Sequence, residues 1–356
     1  MSVLFAILLF SFLIFIHELG HFLAAKLSGI QVNEFSVFMG PAIWKKQKGE
    51  TLYAIRCIPI GGYCAMEGED GVSDNPRSFG NAAWWKRLIV LLAGAAMNFV
   101  TGLVLLGVFF APADGFVLPV VTNIEEGCAI AGEYGIQEGD RILELDGERI
   151  YVYSDFELVL GLNGGAVHDL KLQRGNDTIL LENFPMEKRE FANSDGTTTL
   201  RYGFSFSTVE PTFGQTVTYV WNTAMDTVRL VRLSLQMLFA GQAGFSDVGG
   251  PVMIVQQMSE VADAAPSAYY AFLNLIYFGA FIAINLAVMN LLPVPALDGG
   301  RVVGLLLTTA VEAVTRKKIN PKYEGFLHAG GMILLLILMA VIMFKDVFVL
   351  IKGLFV

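Results

Sequence analysis

The chain is poor in charge and in cysteine. Only 16% of its 356 residues are charged, and three are cysteines, Cys57, Cys64 and Cys128. These cysteines form no CxxC pair and their number is odd, so they indicate no disulfide framework. The net charge of −9 argues against a nucleic-acid partner, because nucleic-acid-binding surfaces are basic.

Histidine is also scarce, but two of the four histidines stand close together. His17 and His21 belong to the sequence His-Glu-Leu-Gly-His. Positions i and i+4 of a helix share one face, so both imidazoles can point at one metal ion. The carboxylate of Glu18 is placed to take a proton from an attacking water. His168 and His328 have no metal-ligand spacing, and we expect them at the surface.

The sequence contains several long apolar segments with few charged residues. The chain is 54% hydrophobic, and its mean hydropathy of +0.56 indicates several membrane spans. The histidine motif lies in the first of them, where ionisable side chains are costly and functional by default. A metal-free pair of buried histidines is the alternative, and the same cost disfavours it. We predict four spans, at about 3–27, 88–110, 268–292 and 329–344.

The segments between the spans predict β structure. Residues 31–66 contain short β-type runs separated by glycine and proline, which favours hairpins, either soluble or dipping back into the membrane. Residues 135–147 resemble the signature stretch of a PDZ domain. We therefore predict an inserted β-rich, PDZ-like domain over 113–210, which either binds a peptide end by strand addition or acts as a spacer. Apolar residues at helical spacing predict an amphipathic helix over 213–240 within a segment, 211–266, that ends in a connector.

A second chemical signal follows the third span, in the sequence Asn-Leu-Leu-Pro-Val-Pro-Ala-Leu-Asp-Gly-Gly. Pro293 and Pro295 must break or kink a helix there. The carboxylate of Asp298 is placed at this break. Irregular backbone at membrane depth is tolerated only beside protein or a water-filled cavity, so the break predicts a functional site.

The distribution of basic residues predicts the orientation. Seven lysines and arginines lie between residues 28 and 87, and more follow the third span, so both loops are expected to be cytoplasmic. With these loops inside, four spans place both termini and the PDZ-like domain outside. The two membrane parts of the chain are residues 1–112 and 267–356. We expect a multi-pass protein with His17 and His21 near the cytoplasmic side of the membrane and the lipid bilayer as a partner.

Together these features resemble the site-2 protease family of intramembrane zinc metalloproteases, and most closely its bacterial regulator of sigma-E protease branch. The resemblance covers nearly the whole chain and implies a location in the bacterial inner membrane. It implies a Zn²⁺ cofactor held by His17, His21 and Asp298, with Glu18 as general base. It also implies a substrate strand held by residues of the second span, the hairpin and the break, namely Asn98, Asn290, Pro295, Gly61 and Gly62. From the residues alone, Asn98 either hydrogen-bonds another helix or faces the active site. The chain departs from its relatives at Gly94-Ala95, where they usually have Gly-Pro, and at Arg301, where they often have histidine.

The function that this resemblance implies is hydrolysis of peptide bonds within transmembrane segments of single-span proteins. An anti-sigma factor after a first cut, or remnant signal peptides, are the substrates it suggests. One alternative is a non-cleaving, zinc-binding membrane scaffold that recruits partners through its PDZ-like domain. Glu18 argues against that alternative, because a scaffold has no need of the base. An ion transporter is a second alternative, which the absence of repeated halves disfavours.

Overall fold

The computed structural model describes residues 2–69, 71, 73–128, 130–132, 135–192, 197–242, 244, 249–316 and 322–353. The chain divides into two compact units. The helical unit comprises Met1–Phe109 and Leu230–Val356, and the β-rich unit comprises Phe110–Arg229.

Long helices dominate the helical unit. They are α1 (Ser2–Leu27), α2 (Trp84–Phe110), α5 (Pro251–Asp263), α6 (Ala268–Asn290), α7 (Asp298–Thr315) and α8 (Lys322–Gly353), while α4 (Phe213–Phe239) contributes residues to both units. Each of the four predicted spans falls on one helix that is long and apolar enough to cross a bilayer, namely α1, α2, α6 and α8. These four helices make the protein a polytopic membrane protein.

The helices α1 and α2 approach each other closely at Gly20. A Cβ atom at this position would lie 2.4 Å from the carbonyl oxygen of Ala93. Small residues allow such close helix packing in membranes. In contrast, only 6% of the apolar window of α8 is buried, which leaves its side chains free to contact lipid.

A long antiparallel hairpin connects α1 to α2. Its strands are β1 (Val32–Lys48) and β2 (Thr51–Met66). Bulges fold the hairpin back on itself, so that Val37 pairs with both Gly62 and Ile55. Its base shares one core with α1, α2 and α7, formed by Ala25, Ile30, Val32, Phe35, Met66, Val90, Leu91 and Leu305.

The β-rich unit is built around a six-stranded antiparallel sheet. Its elements are β3 (Phe116–Ile124), β4 (Arg141–Leu145), β5 (Glu148–Arg149), α3 (Tyr153–Asn163), β6 (Val167–Arg174), β7 (Asp177–Pro185), β8 (Arg189–Ala192), β9 (Thr198–Arg201) and β10 (Phe204–Val209). The strand order is β10-β3-β4-β6-β7 with β5 beside β4, and β8 and β9 form a separate pair. Core residues from the sheet and α3 include Val121, Ile142, Leu145, Phe156, Leu170 and Leu172.

Both histidines that were expected at the surface are placed otherwise. His168 is only 3% exposed, and its Nδ1 lies 2.7 Å from a carboxylate oxygen of Asp146. The surface prediction was wrong because His168 occupies the same inward-facing register of β6 as Leu170 and Leu172. His328 is half-buried on α8, where its Nδ1 accepts a hydrogen bond from the backbone N–H of Ala296 at 3.2 Å.

A buried charge cluster joins α3 to the first part of α4 within the β-rich unit. The guanidinium of Arg229 lies 2.9 Å from Asp155 and also contacts Asp226. Asp155 is fully buried, and its carboxylate accepts the N–H of Val152 at 2.9 Å. Burial, followed by the neighbouring Asp155, raises the pKa of Asp226 to about 7.

Candidate metal centre

His17, His21 and Asp298 converge although they lie near opposite ends of the sequence. The Nε2 atoms of the two histidines, one helical turn apart on α1, are 3.1 Å from each other. The Asp298 Oδ2 atom lies 3.1 Å from His17 Nε2 and 3.3 Å from His21 Nε2. Among the residues that the structure describes, these form the one cluster of His, Cys, Asp or Glu side chains close enough to share a metal ion.

The break between α6 and α7 places Asp298. This residue is the first of α7, and Leu297 caps the helix in extended conformation. Ala296 has a φ of 81°, a left-handed conformation that costs a non-glycine residue about 1 kcal/mol or more. Its N–H is paired with His328 on α8. The Asp-Gly-Gly sequence is needed because a Cβ at Gly299 or Gly300 would lie 2.2 Å from a backbone oxygen of the break.

One face of α2 lies against both histidines. The carbonyl oxygen of Val90 accepts a hydrogen bond from His21 Nδ1 at 2.8 Å, which leaves the Nε2 lone pair of this ring directed at the cluster. Gly94, one turn further along α2, leaves room for the rings. A Cβ there would lie 2.4 Å from His21 Nε2 and 2.8 Å from His17 Nε2.

The three side chains fit a zinc ion. A tetrahedral zinc with N and O ligands at about 2.0–2.1 Å requires ligand atoms about 3.3–3.4 Å apart, close to the three observed separations. The donor set of two imidazoles and one carboxylate is one that catalytic zinc sites use. Within the described part of the chain, the buried Asp298 Oδ2 receives no hydrogen bond, and a cation would satisfy it.

Glu18 and the hairpin form one side of the site. Glu18 follows His17 on α1 and is half-buried. A Cβ at Gly62 of β2 would lie 3.7 Å from Glu18 Cγ, so this strand passes directly beside the carboxylate. The preceding Gly61 has a φ of 80°, a conformation that glycine adopts without strain. The structure therefore places Gly62 beside Glu18, whereas the nearest side chain to Gly61 is that of Met39 within the hairpin.

The two predicted asparagines approach the same atom. The side-chain nitrogen of Asn98 lies 3.4 Å from His17 Nδ1, and that of Asn290 lies 3.5 Å from it. Their environments differ, since Asn98 is 1% exposed while Asn290 is half-buried. Pro295 instead packs against α8, where a Cβ at Gly331 would lie 2.4 Å from it.

Comparison with known proteins decides the family. The model of peptidase family M50 matches residues 5–338. This chain belongs to peptidase family M50. A Clostridium perfringens protein named as a zinc metalloprotease is 36% identical over 98% of both chains. The Bacillus subtilis regulator of sigma-W protease RasP is 28% identical over 96% of this chain and 97% of its own length, and a Fusobacterium nucleatum zinc metalloprotease is 32% identical over 98% of both.

The family assignment makes this M50 peptidase a zinc metalloprotease. It confirms three predictions from sequence, namely the family, the metalloprotease activity and the zinc cofactor. The assignment also agrees with the sequence motif, because His17, Glu18 and His21 form the HExxH pattern of zinc proteases.

An ion pair that the sequence analysis missed connects two parts of this M50 peptidase's site. The guanidinium of Arg301, in the first turn of α7, contacts the carboxylate of Glu69. Glu69 also accepts the N–H of Met66 at 3.4 Å, so its carboxylate lies at the end of β2. The pair therefore fixes the helix that carries Asp298 to the hairpin beside Glu18. The only signal in the sequence was the departure from histidine at position 301.

The sequence analysis also missed Val90. This residue binds through its backbone carbonyl, which every residue has, so no side chain marks it. Gly94 was more accessible to prediction, because the small residues around it indicate close packing of α2 against another helix.

Proposed function

We propose that this M50 peptidase hydrolyses peptide bonds inside the transmembrane segments of single-span membrane proteins. One observation carries the proposal: a zinc-compatible cluster with an adjacent carboxylate is built on helices long and apolar enough to cross a bilayer. A metal centre for soluble substrates would not need to sit among apolar spans, where each ionisable side chain is costly.

The proposed roles follow from the geometry. His17, His21 and Asp298 hold the zinc ion, and Val90 fixes the tautomer of His21. When bound, the ion supplies Lewis-acid chemistry, polarising the scissile carbonyl and making a water more acidic. Glu18 takes the proton of the attacking water and delivers it to the leaving amine.

A transmembrane helix must unwind before this chemistry, because its peptide bonds are closed in i→i−4 hydrogen bonds. We propose that the hairpin segment at Gly61 and Gly62, beside Glu18, lies at membrane depth and receives the unwound substrate as an added strand. The half-buried amide of Asn290 and the break at Pro295 hold the same strand. Substrate segments with weak helix formers should be cleaved fastest.

The β-rich unit is proposed to be a PDZ-like domain on the extracytoplasmic side. Its inclusion of the signature-like stretch 135–147 supports the PDZ-like assignment. There it excludes bulky ectodomains or binds a newly cut peptide end. The basic loops support an orientation in the bacterial inner membrane with the metal centre towards the cytoplasm.

The physiological substrate is proposed by similarity. RasP of Bacillus subtilis is named as a regulator of sigma-W protease. An anti-sigma factor that has already lost its ectodomain would give this chain a comparable role, and remnant signal peptides have the same single-span character.

A cleavage assay tests the proposal. Purified full-length protein in detergent is mixed with a single-span substrate that lacks a large ectodomain, with and without a zinc chelator. Cleavage by the wild type alone, lost with chelator and in Glu18→Gln, is expected. Glu182→Gln, which changes an exposed glutamate of β7, is the matched control and should cleave normally. Undiminished cleavage by Glu18→Gln would overturn the role of Glu18. A wild type that binds zinc but cleaves no single-span substrate would favour the scaffold alternative.

A further inference from the structure

Each ligand histidine turns its Nδ1 atom towards a different hydrogen-bonding group. A histidine that binds a metal through Nε2 carries its proton on Nδ1, so this atom needs an acceptor. For His21 the acceptor is the carbonyl of Val90 at 2.8 Å. For His17, the described neighbours of Nδ1 are the amides of Asn98 and Asn290. Only one of them is needed as the acceptor.

Burial distinguishes the two amides. Asn98 is 1% exposed, and its Oδ1 atom is buried without a hydrogen-bond partner among the described residues. A half-turn of this amide exchanges its oxygen and nitrogen, so that Oδ1 faces His17 Nδ1 as an acceptor. The same rotation gives the orphaned oxygen a partner. Asn290 is half-buried, so its amide remains accessible to a bound strand.

The spacing along α2 supports this division. Val90, Gly94 and Asn98 recur every fourth residue and therefore lie on one face of the helix. Val90 contacts His21, Gly94 leaves space for both rings, and Asn98 contacts His17. This face of α2, residues 90–98, thus lies against both ligand histidines.

We infer that Asn98 is a positioning residue of the zinc site and does not contact substrate: its side-chain oxygen accepts the Nδ1 proton of His17 and fixes the tautomer and orientation of that ring. Asn290 then serves the substrate alone. The inference revises the role that the resemblance implies for Asn98, and it rests on the proposed function of His17 as a zinc ligand.

Zinc affinity of the full-length protein in detergent tests the inference, measured by competition with a chelating dye. Asn98→Leu removes the acceptor at similar volume and should weaken zinc binding about 10–100-fold, the usual effect of losing such a partner. Asn98→Asp keeps an acceptor and should retain most of the affinity. Asn290→Leu, the matched control, should bind zinc like the wild type while cleaving substrate more slowly.

Two further readouts separate positioning from general damage. The visible spectrum of the cobalt(II)-substituted protein should change in Asn98→Leu but not in Asn98→Asp, because it reports ligand geometry. The melting temperature of the metal-free protein should be similar in all variants. If Asn98→Leu does not fold, Asn98→Ala takes its place in both measurements.

Unchanged zinc affinity and cobalt spectrum in the folded Asn98→Leu or Asn98→Ala variant would overturn the inference. A loss of zinc affinity in Asn290→Leu as large as in Asn98→Leu would overturn it as well. Failure of the underlying ligand assignment gives a different result, since His17→Ala would then bind zinc as tightly as the wild type.

Discussion

Replacing Gly94 by alanine should destroy the metal centre with a single methyl group. The new Cβ would lie 2.4 Å from His21 Nε2, 2.7 Å from His17 Cε1 and 2.8 Å from His17 Nε2. Two of these three atoms are the Nε2 nitrogens that belong to the ligand cluster. The methyl group therefore meets the two ligands themselves and no flexible side chain that could swing away.

The size of the effect follows from the overlap. Ordinary contacts begin at 3.4 Å, so the closest atom would have to retreat by about 1 Å. A metal site tolerates displacements of about 0.5 Å. His21 is also tied to α2 through Val90, so a shift of its ring strains that hydrogen bond. Zinc affinity should fall by more than the roughly 100-fold upper range seen for lost outer partners, and the overpacking should cost about 1–3 kcal/mol of stability.

Gly107 provides the control on the same helix. A Cβ there meets nothing within 4 Å, so Gly107→Ala should bind zinc and cleave substrate like the wild type. Zinc per protein is measured by mass spectrometry of the purified variants, and affinity by dye competition. Zinc bound by Gly94→Ala with wild-type affinity would refute the placement of this α2 face against both histidines.

Three other perturbations have defined outcomes. Arg301→Glu should weaken zinc binding and cleavage by displacing the start of α7, and adding Glu69→Arg should restore both because the swap rebuilds the ion pair. Asp346→Ala removes the buried carboxylate that accepts the N–H of Gly250 at 2.9 Å, so hydrogen exchange at the start of α5 should accelerate. The pKa of Asp226 is raised to about 7 from an ordinary 3.8, so the folded state binds more protons than the unfolded state between these values. Stability of the β-rich unit should therefore fall as pH rises from about 4 to about 7, and Asp226→Asn should flatten that dependence.

Each of these expectations can fail clearly. A double charge swap no better than Arg301→Glu alone would show that the pair does not position α7. Unchanged exchange at Gly250 in Asp346→Ala would remove Asp346 as a cap of α5. For Asp226, the stability of the β-rich unit is measured by hydrogen exchange at each pH, and the exchange rates are corrected for their intrinsic pH dependence. A pH profile identical in wild type and Asp226→Asn would contradict the assignment of the titrating group.

Local pattern was enough to predict the histidine pair and the spans. His17 and His21 are related by helical geometry alone, and the spans follow from length and hydropathy. The helix α4 was likewise predicted from the helical spacing of its apolar residues. Asp298 was within reach because proline and glycine mark a broken helix, although its distance from the histidines depends on how α7 packs.

Other features depend on tertiary contacts or were missed, and the sequence analysis did not predict them. His168 is buried because β6 turns it inward, a register that depends on the neighbouring strands. The helix α5 was taken for part of a connector, although Pro251 at its first position is a start signal. The ion pair of Arg301 with Glu69 joins residues 232 positions apart, and the sequence offers no measure of such proximity.

Mapping the scissile bond decides whether the metal centre acts inside the membrane. The products formed from a single-span substrate by wild type and Glu18→Gln are identified by intact mass. New termini within the apolar segment of the substrate, formed by the wild type and absent with Glu18→Gln, are the predicted result. New termini only in the soluble flanks, or the same products from Glu18→Gln, would contradict intramembrane cleavage by this site.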